Sequence, residues 1–289
     1  MNDLSKLKIL VYDSTGPTYT DRTEEAFGFD RDTFALALET TDYLYIGRDK
    51  PFTALYSETS VANAVSTSLS ASYYNGTAWA ALTLLAENTK AFSRSGFVKW
   101  AVPKSGSTVL WASNAVNSIT KYWVRLAVGA NLTATTALQG LNIVFSDDQD
   151  LKSEDRAILA MLPRDENDVR VTSHILAHVA AREAIIESLR RKGNYKVLDS
   201  DGTVEGVDEW DILDVGQVRQ ASTFKALSKI YYQASDSVDD IHYAKAKDYD
   251  AQAQTALDLF LLTLDTDDDG IASGSEKGAA MQGGTFSRR

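Results

Sequence analysis

Two stretches in the second half of the chain repeat apolar residues at the three- and four-residue spacing of a helix. Across residues 214–234 these are Val215, Val218, Ala221, Phe224, Leu227, Ile230 and Tyr231. A polar break at 235–240 follows, and the pattern resumes at Tyr243, Ala246, Tyr249, Ala253, Ala256 or Leu257, Phe260, Leu261 and Leu264. Asp and Ser side chains satisfy nearby backbone groups, so the break favours a turn. The spacing predicts an antiparallel helical hairpin with one face to bury. Upstream, Thr172 or Ser173 can cap a helix that carries Ile175, Leu176, Val179, Ile185, Ile186 and Leu189 and stops near Gly193. A shorter helix within 151–162 ends before Pro163, where the amide donor is missing. Residues 197–204 read as a small hairpin or loop. Three long helices and a short fourth make a compact helical bundle the natural arrangement.

The first half has a different period. Residues 7–12, 44–46, 52–56, 69–74, 97–100 and 122–128 are short runs rich in aromatic and β-branched residues, separated by turn formers. Asn75 and Gly76 follow one run directly and precede Trp79, a hairpin signal because both tolerate positive φ. Short strands with long polar connections predict a β-sandwich or jelly roll over about residues 7–145. Composition changes at 146–150, which is rich in Asp. The expected architecture is α+β with two domains: a β-sandwich or jelly-roll-like domain at 1–146, an α-helical bundle at 147–277, and a flexible C-terminal arm at 278–289.

Composition narrows the chemistry. The 289 residues exceed one ordinary core, and 44% hydrophobic content excludes a largely disordered chain. With no cysteine, disulfides, thiol catalysis and thiolate metal sites are unavailable. The first residues lack the apolar run of a secretory signal, and no stretch reaches the roughly 18 apolar residues of a membrane span. The expectation is a protein made in a cytoplasm, without a membrane partner. Net charge is −11, unevenly spread: 12 basic and 14 acidic residues precede Asp150, against 17 and 26 from there on. That balance disfavours a general phosphate-binding surface, while leaving room for nucleic acid to pass without being gripped.

The sharpest local motif lies at residues 265–276. Asp265, Asp267 and Asp269 take positions 1, 3 and 5 of an EF-hand-like loop, Gly270 takes position 6, and Ser273 and Glu276 take positions 9 and 12. Alternating carboxylates converge on Ca²⁺ when glycine permits the sharp turn and a distant glutamate closes the oxygen shell. Ile271 and Ala272 reverse the usual apolar position, and the glycines after Glu276 weaken a following helix, so a solvated acidic tail stands beside the Ca²⁺ reading. No cofactor is required. His174 and His178 share a helix face with Glu183 nearby, but no His-Glu-x-x-His motif nominates a metal, and ordinary helix histidines are the plain reading. Neither a Gly-x-Ser-x-Gly elbow nor a phosphate or dinucleotide loop occurs, so no enzyme is expected. Arg190, Arg191 and Lys192 complement a helix C-terminus or meet an acidic partner. Trp79, Trp100, Trp111 and Trp123, with Tyr73, Tyr74 and Tyr122, suit core or subunit packing, or an exposed platform for a sugar. The last residues, with Phe286, Arg288 and Arg289, form either a disordered tail or an arm that docks on another protein.

Residues 224–232 (FKALSKIYY), 243–249 (YAKAKDY) and the Ala- and Leu-rich run after them are similar to head-to-tail connector or adaptor proteins of tailed bacteriophages. The aromatic half resembles a module of other phage structural proteins through 43–47 (YLYIG), 73–79 (YYNGTAW) and 121–125 (KYWVR). The resemblance covers most of the chain and rests on diffuse patterns. It implies a virion protein at the head–tail junction, self-associating into a ring, commonly of twelve, between portal and tail, tail-terminator or neck proteins. DNA would pass through its channel without sequence-specific binding. The helices would build the ring wall, and Phe286, Arg288 and Arg289 would reach the portal. The large β-rich half departs from simpler adaptors and leaves a tail, collar or baseplate component with a carbohydrate-binding or host-adhesion role as the alternative.

Overall fold

A computed structural model describes residues 6–29, 32–106, 108–164, 171–197, 204–259, 261–272 and 276–280. The chain divides into two compact units, Met1–Ile143 with Asp269–Ile271, and Val144–Asp268 with Ala272–Arg289. The first is rich in antiparallel strands and the second carries the long helices.

The elements of the first unit are β1 (Leu7–Asp13), β2 (Thr18–Asp21), α1 (Thr23–Phe27), β3 (Phe34–Ala35), β4 (Tyr43–Arg48), β5 (Ala54–Val61), β6 (Leu69–Tyr74) and β7 (Trp79–Leu82). After them come β8 (Leu84–Glu87), β9 (Gly96–Trp100), the short pair β10 (Lys104–Ser105) and β11 (Thr108–Val109), β12 (Asn114–Val116), β13 (Ile119–Val128) and β14 (Ala137–Asn142). A seven-stranded sheet runs β2-β1-β4-β13-β6-β7, with β12 paired to β13, and a five-stranded sheet runs β3-β14-β5-β9-β8.

Side chains alternate faces along a strand, so the register assigns each residue to a side. In the larger sheet, Ile9 opposes Ile46 and Ile46 opposes Val124, which gives one face of buried aliphatic residues. Leu10 opposes Tyr45, Tyr45 opposes Arg125 and Arg125 opposes Ser72, which defines the other face. Gly47 sits opposite Trp123 on that second face, and a Cβ there would lie 2.6 Å from the indole. Glycine therefore lets the ring lie against β4. In the smaller sheet Gly140 plays the same part for Phe29, whose ring also meets Tyr56 edge-on at 6.1 Å.

The second unit begins with α2 (Asp148–Glu154), where Asp147 and Asp150 form a reciprocal capping box. A 3₁₀ turn at Ile158–Met161 follows, so the short helix expected within 151–162 is split between two shorter pieces. Next come α3 (Ile175–Arg191), β15 (Tyr195–Val197) paired with β16 (Val204–Gly206), α4 (Arg219–Gln233) and α5 (Ile241–Leu259). Before α4, Asp214 accepts from the Gly216 amide and caps a 3₁₀ turn at Val215–Gln217.

One expectation is corrected. The helical stripe read through Leu264 ends at Leu259, and β17 (Leu261–Thr263) pairs with β18 (Lys277–Ala280). Leu262 and Leu264 are both buried, two residues apart, which is strand period rather than helix period. A bridge from Leu264 to Ile212 carries the strand direction on into the acidic loop.

Candidate functional site

The acidic loop is anchored at its start by the Asp265 amide, which donates to the Asp211 carbonyl at 2.8 Å. Asp268 at φ 59° and Gly270 at φ 74° then reverse the chain, the conformation that glycine takes without strain. One carboxylate oxygen from each of Asp265, Asp267 and Asp269 lies within 4.8 Å of the other two. Asp265 is fully buried and Asp267 is exposed. The Ile271 amide donates to Asp269 Oδ1 at 2.7 Å. Glu276 is buried, and its Oε1 accepts from the Thr266 amide at 2.6 Å and the Thr266 hydroxyl at 2.9 Å. That carboxylate ties the two ends of the loop together. Ser273 lies outside the described residues, as do Phe286, Arg288 and Arg289. Among the described residues the three aspartates are the group that can hold a divalent cation, and an all-oxygen set suits Ca²⁺.

His174 and His178 are both buried in the second unit. His178 Nδ1 lies 2.8 Å from Ser146 Oγ, and its Nε2 lies 3.2 Å from Asp148 Oδ1. Ser146 Oγ is also 2.8 Å from Ser222 Oγ, and the Asp148 carboxylate accepts the His174 amide at 3.1 and 3.3 Å. With the ring neutral and Nε2–H donating to Asp148, Nδ1 accepts from Ser146 and Ser222 donates to Ser146. The chain of donors and acceptors closes. Ser, His and Asp meet here, yet the serine is sealed from solvent and its oxygen is engaged on both sides, so the arrangement clamps α2, α3 and α4 together. His174 Nε2 lies 3.1 Å from the Ile158 carbonyl, and burial holds its pKa below the usual histidine range. Glu183 pairs instead with Arg182 at 3.7 Å. At the end of α3, Arg190 Nε donates to the Val207 carbonyl and Lys192 pairs with Asp258, so both serve local contacts.

The tryptophans separate into two groups. Trp100, Trp111 and Trp123 are buried, whereas Trp79 is part-exposed. Trp79 belongs to an aromatic surface on the second face of the larger sheet, built over buried Leu10, Tyr45, Val116 and Trp123. Tyr12, Tyr19 and Tyr43 join it from β1, β2 and β4. Ring centroids are 4.8 Å apart for Tyr12 and Tyr19, 6.1 Å for Tyr12 and Tyr43, and 5.5 Å for Tyr45 and Trp79. Tyr74 meets Trp79 edge-on at 6.0 Å. The Arg125 guanidinium carbon lies 4.3 Å from the Tyr43 ring centre and 4.7 Å from that of Trp79, and its Nε donates to Ser72 Oγ at 3.0 Å. Sequence reasoning did not single out Arg125 for a site. The available signal was a cation inside the aromatic run Tyr122, Trp123, Val124, Arg125.

No family model matches the chain, and no curated protein matches it in sequence. Among solved structures, a chain titled CpGH89CBM32-6 produced by Clostridium perfringens is similar at 12% identity, covering 50% of this chain and 94% of its own, with a TM-score of 0.30. A likeness at that level assigns nothing. No described helix is long and apolar enough to cross a membrane.

Proposed function

We propose that this chain is a non-enzymatic structural protein of a phage virion, forming a ring at the neck between portal and tail. In this reading the first unit is a β-sandwich or jelly roll and the second a helical bundle whose α3, α4 and α5 build the ring wall. The observation that carries it is the turn between α4 and α5. Tyr232, Val238 and Ile241 are 63%, 69% and 69% exposed within ten residues of one another, on a strongly acidic part of the chain. Large apolar side chains grouped at one exposed tip suit burial in a neighbouring subunit. A head-to-tail contact of this kind closes into a ring when its rotation divides the circle. Acidic side chains facing the channel would repel DNA and let it slide. Phe286, Arg288 and Arg289 would reach the portal protein, and tail or neck proteins would meet the opposite side.

Native mass spectrometry of the purified chain, alone and with the portal protein of the same virus, tests the reading. A closed multimer, or a stoichiometric complex with the portal, is expected, and the double variant Val238→Asp/Ile241→Asp should weaken it. A monomer indifferent to the portal overturns it.

A further inference from the structure

The aromatic face of the larger sheet carries three cations, and one is treated differently from the other two. Lys8 pairs with Asp21, and Lys121 pairs with Asp49. Arg125 lies on β13 four residues beyond Lys121, and its partners are the Ser72 hydroxyl, the Tyr45 phenol and the rings of Tyr43 and Trp79. None of these is acidic. In a chain with 40 acidic and 29 basic residues, an arginine held without a carboxylate is a site of unmatched positive charge.

The geometry around it is selective. Two aromatic rings cover the guanidinium, Nε is held by Ser72 and the Tyr45 phenol takes a further hydrogen bond, which leaves the rest of the five-donor fork for a ligand. A planar fork of that kind matches a carboxylate with two parallel hydrogen bonds. Stacking on both rings fixes the fork in advance. Around the fork lie Tyr12, Tyr19 and Tyr74, part-exposed rings that offer an apolar surface and hydroxyl groups together. The Tyr45 phenol is pushed up to about 12, chiefly by burial, so it remains protonated beside the guanidinium. Sugar rings present C–H faces for stacking and hydroxyls for hydrogen bonding, and an acidic sugar adds the carboxylate.

We propose that this face binds a carboxylate-bearing glycan, with Arg125 gripping the carboxylate and Trp79, Tyr43 and their neighbours supporting the sugar rings. The site is distinct from the ring contact and stands whether or not the ring forms. It names a chemistry, an acidic polysaccharide, that two sources supply: uronic acids and sialic acids.

Affinity electrophoresis of the full chain tests it in native gels cast with polygalacturonate, polysialic acid, carboxyl-reduced polygalacturonate or polyglutamate. Retardation by at least one of the two acidic glycans is expected, and which one retards identifies the sugar. The carboxyl-reduced polymer and polyglutamate should leave mobility unchanged. Arg125→Gln and Trp79→Ala should each weaken binding at least about tenfold. Arg125→Lys, which keeps charge but not the fork, should weaken it less than Arg125→Gln and guards against loss of fold in the latter. Circular dichroism of each variant checks the fold. Absence of retardation by both acidic glycans overturns the site, as does equal retardation by polyglutamate or by the carboxyl-reduced polymer. Unchanged binding in folded Arg125→Gln overturns it too.

Discussion

Replacing Tyr231 by phenylalanine isolates one hydroxyl in the contact between α4 and α5. The Tyr231 ring stacks between His242 at 5.7 Å and Tyr249 at 5.8 Å, and Tyr249 stacks on Phe224 at 6.2 Å. Phenylalanine keeps that column. What it loses is the hydrogen bond that Tyr231 donates to the Asp155 carboxylate and the one it accepts from Lys245 Nζ at 3.1 Å. A hydrogen bond to a charged group contributes about 1.5–3 kcal/mol. The remaining Lys245–Asp155 pair, at 3.4 Å and with the lysine side chain 45% exposed, replaces little of it. Tyr231→Phe should therefore lower stability by about 1.5–3 kcal/mol at pH ~7, a Tm drop of about 3–12 °C. The long helices all lie in the second unit, so ellipticity at about 222 nm follows its unfolding. The pH dependence supplies a second check. The Tyr231 hydroxyl, first among several donors, holds the Asp155 carboxyl below the usual carboxylate range. A group whose folded pKa is depressed contributes fully above its unfolded value, about 3.9 for aspartate, and loses that contribution as pH falls through the folded value. The gap between wild type and variant should thus narrow below about pH 4. A gap under about 0.5 kcal/mol at neutral pH, or one equally wide in acid, would refute this account of the contact.

Three further outcomes follow from single contacts. Gly140→Ala places a Cβ 2.1 Å from Phe29 Cδ1 and should cost about 1–3 kcal/mol. Denaturant titration by tryptophan fluorescence reads this, since four of the five tryptophans lie in the same unit, and an unmoved midpoint would show that Phe29 relaxes freely. If Asp265, Asp267 and Asp269 take Ca²⁺, millimolar Ca²⁺ should raise the melting temperature, by about 2.7 kcal/mol of stability at a hundredfold excess over Kd. Asp267→Asn should reduce that rise, and a melting temperature indifferent to Ca²⁺ in the wild type counts against the loop as a metal site. His174, depressed by burial, favours the neutral ring in the folded state, so its contribution is present above about pH 6.5 and declines as pH falls below it. His174→Gln should flatten the slope of urea midpoints between about pH 7.5 and 5, and an unchanged slope would place the acid sensitivity elsewhere.

The helices were legible because their stripes are long: Val218 to Tyr231 and Ile175 to Leu189 each cover several turns, and both segments are helical with those residues mostly buried. The end of α5 was not. Leu261 and Leu264 fit a three-residue step, and only pairing with Lys277–Ala280 reveals the strand. Strand runs such as 122–128 were legible from aromatic and β-branched content, whereas α1, five residues long, is too short to display a period. The acidic loop could be read from spacing alone, since Asp265, Asp267 and Asp269 are consecutive alternate residues. What Glu276 does could not: its Oε1 accepts from the amide and hydroxyl of Thr266, a contact that spacing alone does not show.

The aromatic face shows why the remaining chemistry was hidden. Arg125, Tyr43, Ser72 and Trp79 lie in different strands, and only the order β4-β13-β6-β7 brings them side by side. Within that order the register does the selection. Pairing Arg125 with Tyr45 on one side and Ser72 on the other places the guanidinium over the face shared with Trp123, and a slip of one residue would turn it to the aliphatic side beside Ile46 and Val124. Gly47 reinforces the choice, because only a residue without a Cβ lets the Trp123 indole lie flat there. The glycine, the buried indole and the part-exposed arginine are thus linked consequences of one register: the packing that fixes the sheet also holds a cation against two rings at its surface.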